Sequence, residues 1–351
     1  MQNPSNIIII LQFIFFPISV LVRCIYRLRR YLYTINYYHS KKFNLPTISI
    51  GNIALGGSGK TPFLKWLILR LQENNKKLLI SSRGHKSESE HVGKIINPID
   101  VKFMAKEIGD ENKELLAVFN NGLLAVGKKR TDLISQSLKK TAFNYLILDD
   151  GFQHLKIDRD KNIILINSLL PINQYHVFPS GYLREGISSL FEADVIVMTN
   201  CQSGRPTLNE QNIVKLINPF LKPDTKIFRS KTIISHFENL KTGESIPIEK
   251  FNNGVVAVSG IAGTEKFHEL VQSNNVKIHD SLDFRDHHLY TELDYDKIKL
   301  LGSKFNVPVL ITEKDSVKFN PEKISFECYV CHVKLDFYGQ DEELLKRIIG
   351  E

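Results

Sequence analysis

Acidic residues are missing from the start of the chain: no Asp or Glu occurs before Glu73, whereas Arg23, Arg27, Arg29, Arg30, Lys41, Lys42, Lys60, Lys65 and Arg70 all do. The whole sequence carries 46 basic and 38 acidic residues, +8 in sum, so beyond that stretch 37 basic face 38 acidic residues and the balance is −1. A broad nucleic-acid-binding face is therefore not expected, because the positive charge is confined to one end. Cysteine is scarce too. Four in 351 residues exclude a disulfide scaffold, and Cys328 and Cys331 lack the second pair that a tetrahedral zinc site needs, so they read as strand residues. With only 20 Gly and 13 Pro against 42% hydrophobic residues, the chain is neither collagenous nor low in complexity, and no internal repeat is visible. At about 100 to 200 residues per domain, it is long enough for two or three cores.

What is present begins with an apolar run, Ile7 to Val22, broken only by Gln12, Pro17 and Ser19. As a helix it would reach about 24 Å, short of the roughly 20 residues a bilayer core requires. No basic residue precedes it and no small-x-small site follows, which argues against a secretory signal. The functional expectation is a segment lying in a membrane interface, with Arg23, Arg27, Arg29 and Arg30 toward anionic headgroups at about 1 kcal/mol each, and Tyr26, Tyr31 and Tyr33 at the boundary. The alternative is a helix buried against the same protein.

Downstream, short apolar β-branched runs suit strands buried on both faces: Thr47 to Ile50, Leu78 to Ser81, Tyr145 to Leu148, Ile163 to Ile166 and Val195 to Thr199. Pro62 to Gln72 reads as a helix with proline in its first turn. The alternation predicts an α/β fold, a P-loop NTPase-like parallel sheet domain followed by a smaller α/β domain across a short β connector. The expected division is 1–35 for the membrane segment, 36–226 for the P-loop domain, 227–251 for a two-stranded connector around Lys241 to Glu244, and 252–351 for the smaller domain. Strands in that last part are expected at Val255 to Val258, Val276 to Ile278, Val309 to Ile311 and Phe326 to His332, with a closing helix near Glu342 to Ile349.

The strongest chemical signal runs from Gly51 to Pro62, between a strand and a helix. Ala54, Leu55, Gly56, Gly57, Ser58, Gly59, Lys60 and Thr61 form a phosphate loop: glycines let backbone N–H groups turn inward, the helix N-terminus adds its dipole, Lys60 reaches the terminal phosphates of ATP, and Thr61 can hold Mg²⁺. Ala54 departs from the general pattern, which has glycine there. Tyr145 to Asp150 supplies a Walker-B-like partner in which Asp149 is a candidate metal ligand, and Asp150 either helps orient Mg²⁺ or serves as a hydrogen-bonded turn carboxylate. A nucleotide site by itself leaves kinase, ATPase and switch open.

Taken with Ser82-Arg83-Gly84, Gly109-Asp110-Glu111, Asp149 to His154, Pro179 to Glu185, Asp286-His287 and Thr312 to Asp315, the phosphate loop resembles that of the tetraacyldisaccharide 4'-kinases of lipid A synthesis. That family too lacks the first Walker glycine, at the position where this chain has Ala54. The resemblance implies an enzyme on the cytoplasmic face of the bacterial inner membrane, peripheral or monotopic. Its reaction would move the γ-phosphoryl of ATP to the 4'-hydroxyl of an acylated glucosamine disaccharide 1-phosphate, forming lipid IV(A). It further implies Asp110 as catalytic base with His287 as partner, and Arg184 and Glu185 near the lipid phosphate or the transferring group. Read without it, Asp110 is more readily a solvated loop acid and His287 a structural cap beside Asp286, while Arg184–Glu185 is equally a surface pair. A soluble small-molecule kinase and a non-enzymatic membrane- or nucleic-acid-binding module are the competing functions.

Overall fold

The computed structural model describes residues 6–99, 105–261, 263–286 and 288–350. A long helix, α1 (Asn6–Thr34), precedes the first sheet. That sheet contains β1 (Thr47–Asn52), β2 (Leu78–Ser82), β3 (Lys94–Ile96), β4 (Gly122–Val126), β5 (Tyr145–Asp149), β6 (Lys161–Asn167), β7 (Val195–Thr199) and β8 (Lys226–Arg229). Its order is β3-β4-β2-β5-β1-β6-β7-β8, parallel throughout except for β3 against β4. β1 thus lies between β5 and β6, where the order of connection reverses, and a crevice opens at the carboxyl ends of the central strands. The five runs expected as strands all lie inside this sheet. β3 and β4 were not anticipated, since Lys94–Ile96 is only three residues long and Gly122–Val126 opens on glycine and carries a single β-branched residue.

Sheet faces are filled by alternate residues. Ile48 and Ile50 of β1 pack with Phe63, Leu64, Leu67 and Ile68 of α2 (Lys60–Glu73), and Leu79, Leu146 and Leu148 pack on the opposite face with Ile134. The second sheet contains β9 (Lys231–Asn239), β10 (Ser245–Ile246), β11 (Val255–Ser259), β12 (Ile278–Asp283), β13 (Val309–Thr312) and β14 (Cys328–Asp336), ordered β10-β9-β14-β13-β11-β12. The segment expected to be a two-stranded connector, 227–251, holds most of β8 in the first sheet and the β9–β10 hairpin, which turns at Lys241 to Glu244, in the second, where the longest partner of β9 is the antiparallel β14. β12 begins where Val276 to Ile278 was expected to end, because its polar sequence suits a sheet edge.

The closing helix, Asp341–Ile349, packs on the first sheet's layer. Leu344, Leu345 and Ile348, with Leu335 and Phe337, are buried in one cluster with Phe63 and Leu67 of α2. Trp66 packs on Phe337 with ring centroids 4.7 Å apart and the rings tilted by 52°, and its Nε1 donates to Asp341 Oδ1 at 3.2 Å.

Two opposite faces of α1 have different tasks. Gln12, Ser19 and Arg30 fall on one side at helical spacing and hold the loop at 173–192: Gln12 Nε2 donates to the Asn173 carbonyl at 3.2 Å, and Ser180 N–H donates to Ser19 Oγ at 2.8 Å. Arg30 differs from the expectation of a headgroup contact. Its guanidinium lies over the Phe152 ring and pairs with Glu185 at 2.5 Å and Glu192 at 2.7 Å. On the other side Ile14, Ile18, Leu21, Ile25 and Leu28 are at least half exposed and form one apolar stripe. Among the described residues no helix is long and apolar enough to cross a membrane.

Candidate functional site

The loop after β1 is stitched from several directions. Asn52 Nδ2 donates to Ser58 Oγ at 2.8 Å, Thr199 Oγ1 to the Ser58 carbonyl at 2.9 Å, and Asn167 Nδ2 to the Gly57 carbonyl at 3.2 Å. Gly56 and Gly59 take φ of 91° and 75°, the left-handed region that a side chain resists. Ala54 needs no such freedom: it sits in an antiparallel bridge with Leu183, flanked by Leu55 N–H to the Tyr182 carbonyl at 2.6 Å and Arg184 N–H to the Ile53 carbonyl at 2.7 Å. Lys60 and Thr61 open α2, so the lysine, the loop amides and the helix dipole face the same place.

At the end of β5 two aspartates diverge. Asp149 is buried and accepts from Ser82 Oγ at 3.1 Å, while its own carbonyl accepts from Arg130. Burial, followed by the charges of Glu111 and Asp150, pushes its carboxyl up to about 6 against the pull of Lys60 and Arg130. Asp150 turns outward at φ 48°, a left-handed conformation that aspartate tolerates. Its carboxylate meets Arg184 Nη1 at 2.8 and 3.1 Å and Lys60 Nζ at 3.4 Å. Burial would raise its pKa, but Lys60 and Arg184 outweigh burial and hold it below the ordinary carboxylate value. Close packing enforces this turn, since a Cβ on Gly151 would come within 2.7 Å of Leu148 Cβ and Ser49 Oγ.

Asp150, Arg130, Arg184 and Leu55 of the phosphate loop line a cleft of about 530 Å³ that also reaches Val22 and Tyr26 of α1. Arg29, Arg83, Lys128, Arg130 and Arg184 face it against the single carboxylate of Asp150. Such a wall suits a ligand with several negative charges. His154 lies there too, with burial and then Arg130 lowering its pKa to about 4, so it stays neutral. Of the lining cations, Lys128 and Arg130 carried no signal in the sequence, because only the crossover from β4 brings them beside β5.

Arg184 is thus brought to Lys60 and Asp150, whereas Glu185, its neighbour, points the other way into the pair with Arg30. Asp110 opens the helix Asp110–Leu116 after Gly109, half-buried, and its charge reaches Lys113. Glu111 beside it is close enough to influence Asp149. His287 lies outside the described residues. Its neighbours are placed: Asp286 accepts from Lys314 Nζ at 2.7 Å, and His288 Nε2 lies 3.0 Å from Asp294 Oδ2 with its ring stacked on Phe284.

The Thr312 to Asp315 motif ties the two sheets together. Asp315 accepts from Gly260 N–H at 2.9 Å and from Thr312 Oγ1 at 2.6 Å. Glu313 reaches across to Lys65 of α2, which also stands 3.7 Å from Glu114. Lys113 Nζ donates to the Val317 carbonyl at 2.7 Å, so the helix carrying Asp110 rests on the second unit.

Comparison with known proteins gives one consistent result. The family model for LpxK, tetraacyldisaccharide-1-P 4'-kinase, matches residues 11–350. Among curated proteins, the tetraacyldisaccharide 4'-kinases of Blochmanniella pennsylvanica and Methylobacillus flagellatus are each 32% identical, covering 86% and 88% of this chain and 82% and 83% of their own lengths. That of Halothermothrix orenii is 28% identical over 89% of this chain and 85% of its own. A crystal structure of the "apo" form of LpxK from Aquifex aeolicus in complex with ATP superposes with a TM-score of 0.76 at 26% identity, covering 97% of this chain and 99% of that one.

Proposed function

The chain belongs to the tetraacyldisaccharide-1-P 4'-kinase family, and from that premise we propose that it transfers the γ-phosphoryl of ATP to the 4'-hydroxyl of a tetraacylated glucosamine disaccharide 1-phosphate, leaving lipid IV(A) and ADP. The observation that carries the reading is the convergence of Lys60 and Arg184 on Asp150 at the mouth of a cationic cleft beside α1. One end of that cleft suits a triphosphate and the other an anionic lipid headgroup.

Residues 54–59 cradle the phosphates with backbone amides, and Lys60 neutralises the terminal oxygens as charge shifts toward the leaving ADP. Asp110 takes the proton of the 4'-hydroxyl as its oxygen bonds to the γ-phosphorus and the bond to the β,γ-bridging oxygen breaks; His287 orients or relays. Arg184, released from Asp150, is free to follow the transferring group. The donor set fits Mg²⁺: Thr61 and Asp149 offer hard oxygens, and the buried carboxyl of Asp149, raised to about 6, is one that a cation would compensate. When bound, Mg²⁺ would offset charge on the phosphate oxygens. Asp150, held between two cations, positions Lys60 and Arg184. Glu185 acts at a distance, by fixing Arg30 and with it α1.

The apolar stripe of α1 supports peripheral or monotopic seating on an anionic membrane surface, where the acyl chains of the substrate reside. For a bacterial inner membrane this is the cytoplasmic face, where ATP is available. A nucleic-acid partner has no place in this reading. The test is incubation of purified enzyme with γ-labelled ATP and the acylated disaccharide in detergent micelles. Label on the 4'-oxygen of the lipid is expected. Release of labelled phosphate with none on the lipid would make the protein an ATPase.

A further inference from the structure

Away from the cleft, the strand pair β9–β14 gathers two imidazoles and a carboxylate. His236 and Glu238 flank Phe237 on β9 and share a face by strand alternation, and His332 of β14 stands directly opposite His236 in the register. The two imidazole rings stack with centroids 4.4 Å apart and 1° between planes. His332 Nε2 lies 3.6 Å from Glu238 Oε2, and one ligating atom from each of the three residues falls within 4.8 Å of the other two.

The protonation pattern suits a metal. His332 Nδ1 lies 3.0 Å from Glu313 Oε1, and since an ionised carboxylate only accepts, Nδ1 carries the proton and Nε2 the lone pair. That Nε2 is buried with no hydrogen-bond partner. His236 Nδ1 is engaged by Ser235 Oγ at 3.2 Å, which leaves Nε2 for a metal once the exposed ring turns out of its parallel stack on His332, because an ion must lie in the plane of each imidazole that binds it. A carboxylate behind a metal-binding histidine is the recurrent outer-shell device that fixes ring orientation and raises ligand basicity. Glu313 is that carboxylate, and it is itself anchored by Lys65 of α2.

We propose that His236, Glu238 and His332 form a binding site for a divalent transition-metal ion of the Zn²⁺ class. Two imidazoles and a carboxylate favour such an ion over Mg²⁺ or Ca²⁺, which take oxygen ligands. Three protein ligands leave a fourth position, which opens to solvent on the exposed side of His236. The ion clips β9 to β14, and through Glu313 and Lys65 its seat is continuous with the helix that begins at Lys60. The site is separate from the catalytic Mg²⁺ position in ligand type and in place.

The experiment is titration of the full-length Cys24→Ser enzyme with Zn²⁺ by calorimetry and with Co²⁺ by visible absorption, in excess Mg²⁺; removing the exposed Cys24 thiol eliminates a competing ligand. A single equivalent is expected, with the intense d–d bands of a tetrahedral cobalt centre and a higher melting temperature on binding. His236→Asn and Glu238→Gln, both at partly or fully exposed positions, should fold normally in metal-free melts and abolish the cobalt bands. Glu313→Gln, which keeps all three ligands, should weaken Zn²⁺ binding by about 10- to 100-fold. Unchanged binding in His236→Asn, or no cobalt spectrum in the parent, overturns the site.

Discussion

Asp149 and Asp150 are covalent neighbours with opposite tendencies, and the difference is environmental. The first is sealed beside Ser82 and Arg130, the second turned toward Arg184 and Lys60. Because the folded Asp149 titrates at about 6 and an unfolded aspartate at 3.8, its contribution to stability is full below 3.8 and is lost as pH rises through 6. Enzyme free of nucleotide and Mg²⁺ should therefore melt lower at pH 7 than at pH 5, and Asp149→Asn should shrink that difference. Melting curves at both pH values check this; an equal pH dependence in the two proteins refutes it. Asp110 carries a separate expectation. As the base for a hydroxyl of high pKa, it should be replaceable by asparagine without loss of ATP affinity but with kcat at least about 100-fold lower. Near-normal turnover with the lipid acceptor would remove Asp110 from that role.

At the scale of the element, α1 shows how one helix can be held to the protein and still present an apolar face. Arg30, nearly buried between Glu185 and Glu192, belongs to the holding face, and truncating it would leave Glu185 unpaired inside. Leu21, Ile25 and Leu28 belong to the presenting face, at 61%, 56% and 57% exposure. Each could contribute about 1.5 to 3 kcal/mol on insertion among acyl chains, so replacing all three by serine should lower binding to anionic vesicles by more than about 100-fold. Flotation with liposomes reads the loss. The unfolding midpoint should stay put, since these side chains touch little of the protein. A drop in stability instead, with vesicle binding intact, would make α1 an ordinary packed helix.

For the molecule as a whole, the last helix matters beyond its length. Leu344 is fully buried with Phe63 and Leu67, so the end of the chain completes the core around α2, the helix that starts at the phosphate loop. Leu344→Ala should cost about 2 to 5 kcal/mol. Denaturant unfolding should remain a single transition at lower midpoint, with ATP binding lost in step. Two separated transitions, the first sheet unaffected, would show that the helix does not serve both parts.

The α/β alternation, the phosphate loop and the Walker-B-like aspartates were legible in residues 47–150 because each depends on local chemistry: apolar runs for buried strands, glycines for positive φ, Lys-Thr at a helix start. Arg184 and Asp110 were visible only through resemblance, since no spacing rule links them to Lys60. Other features were decided by tertiary contacts alone. That Glu185 faces Arg30 while Arg184 faces Asp150 is set where the chain bends just after the bridge between Ala54 and Leu183, with α1 on one side and the end of β5 on the other. That β9 pairs with β14, bringing His236 opposite His332, depends on a register between strands about a hundred residues apart in sequence. Local pattern determines what a segment can be; which segments meet is settled by the burial of faces that no single segment can cover.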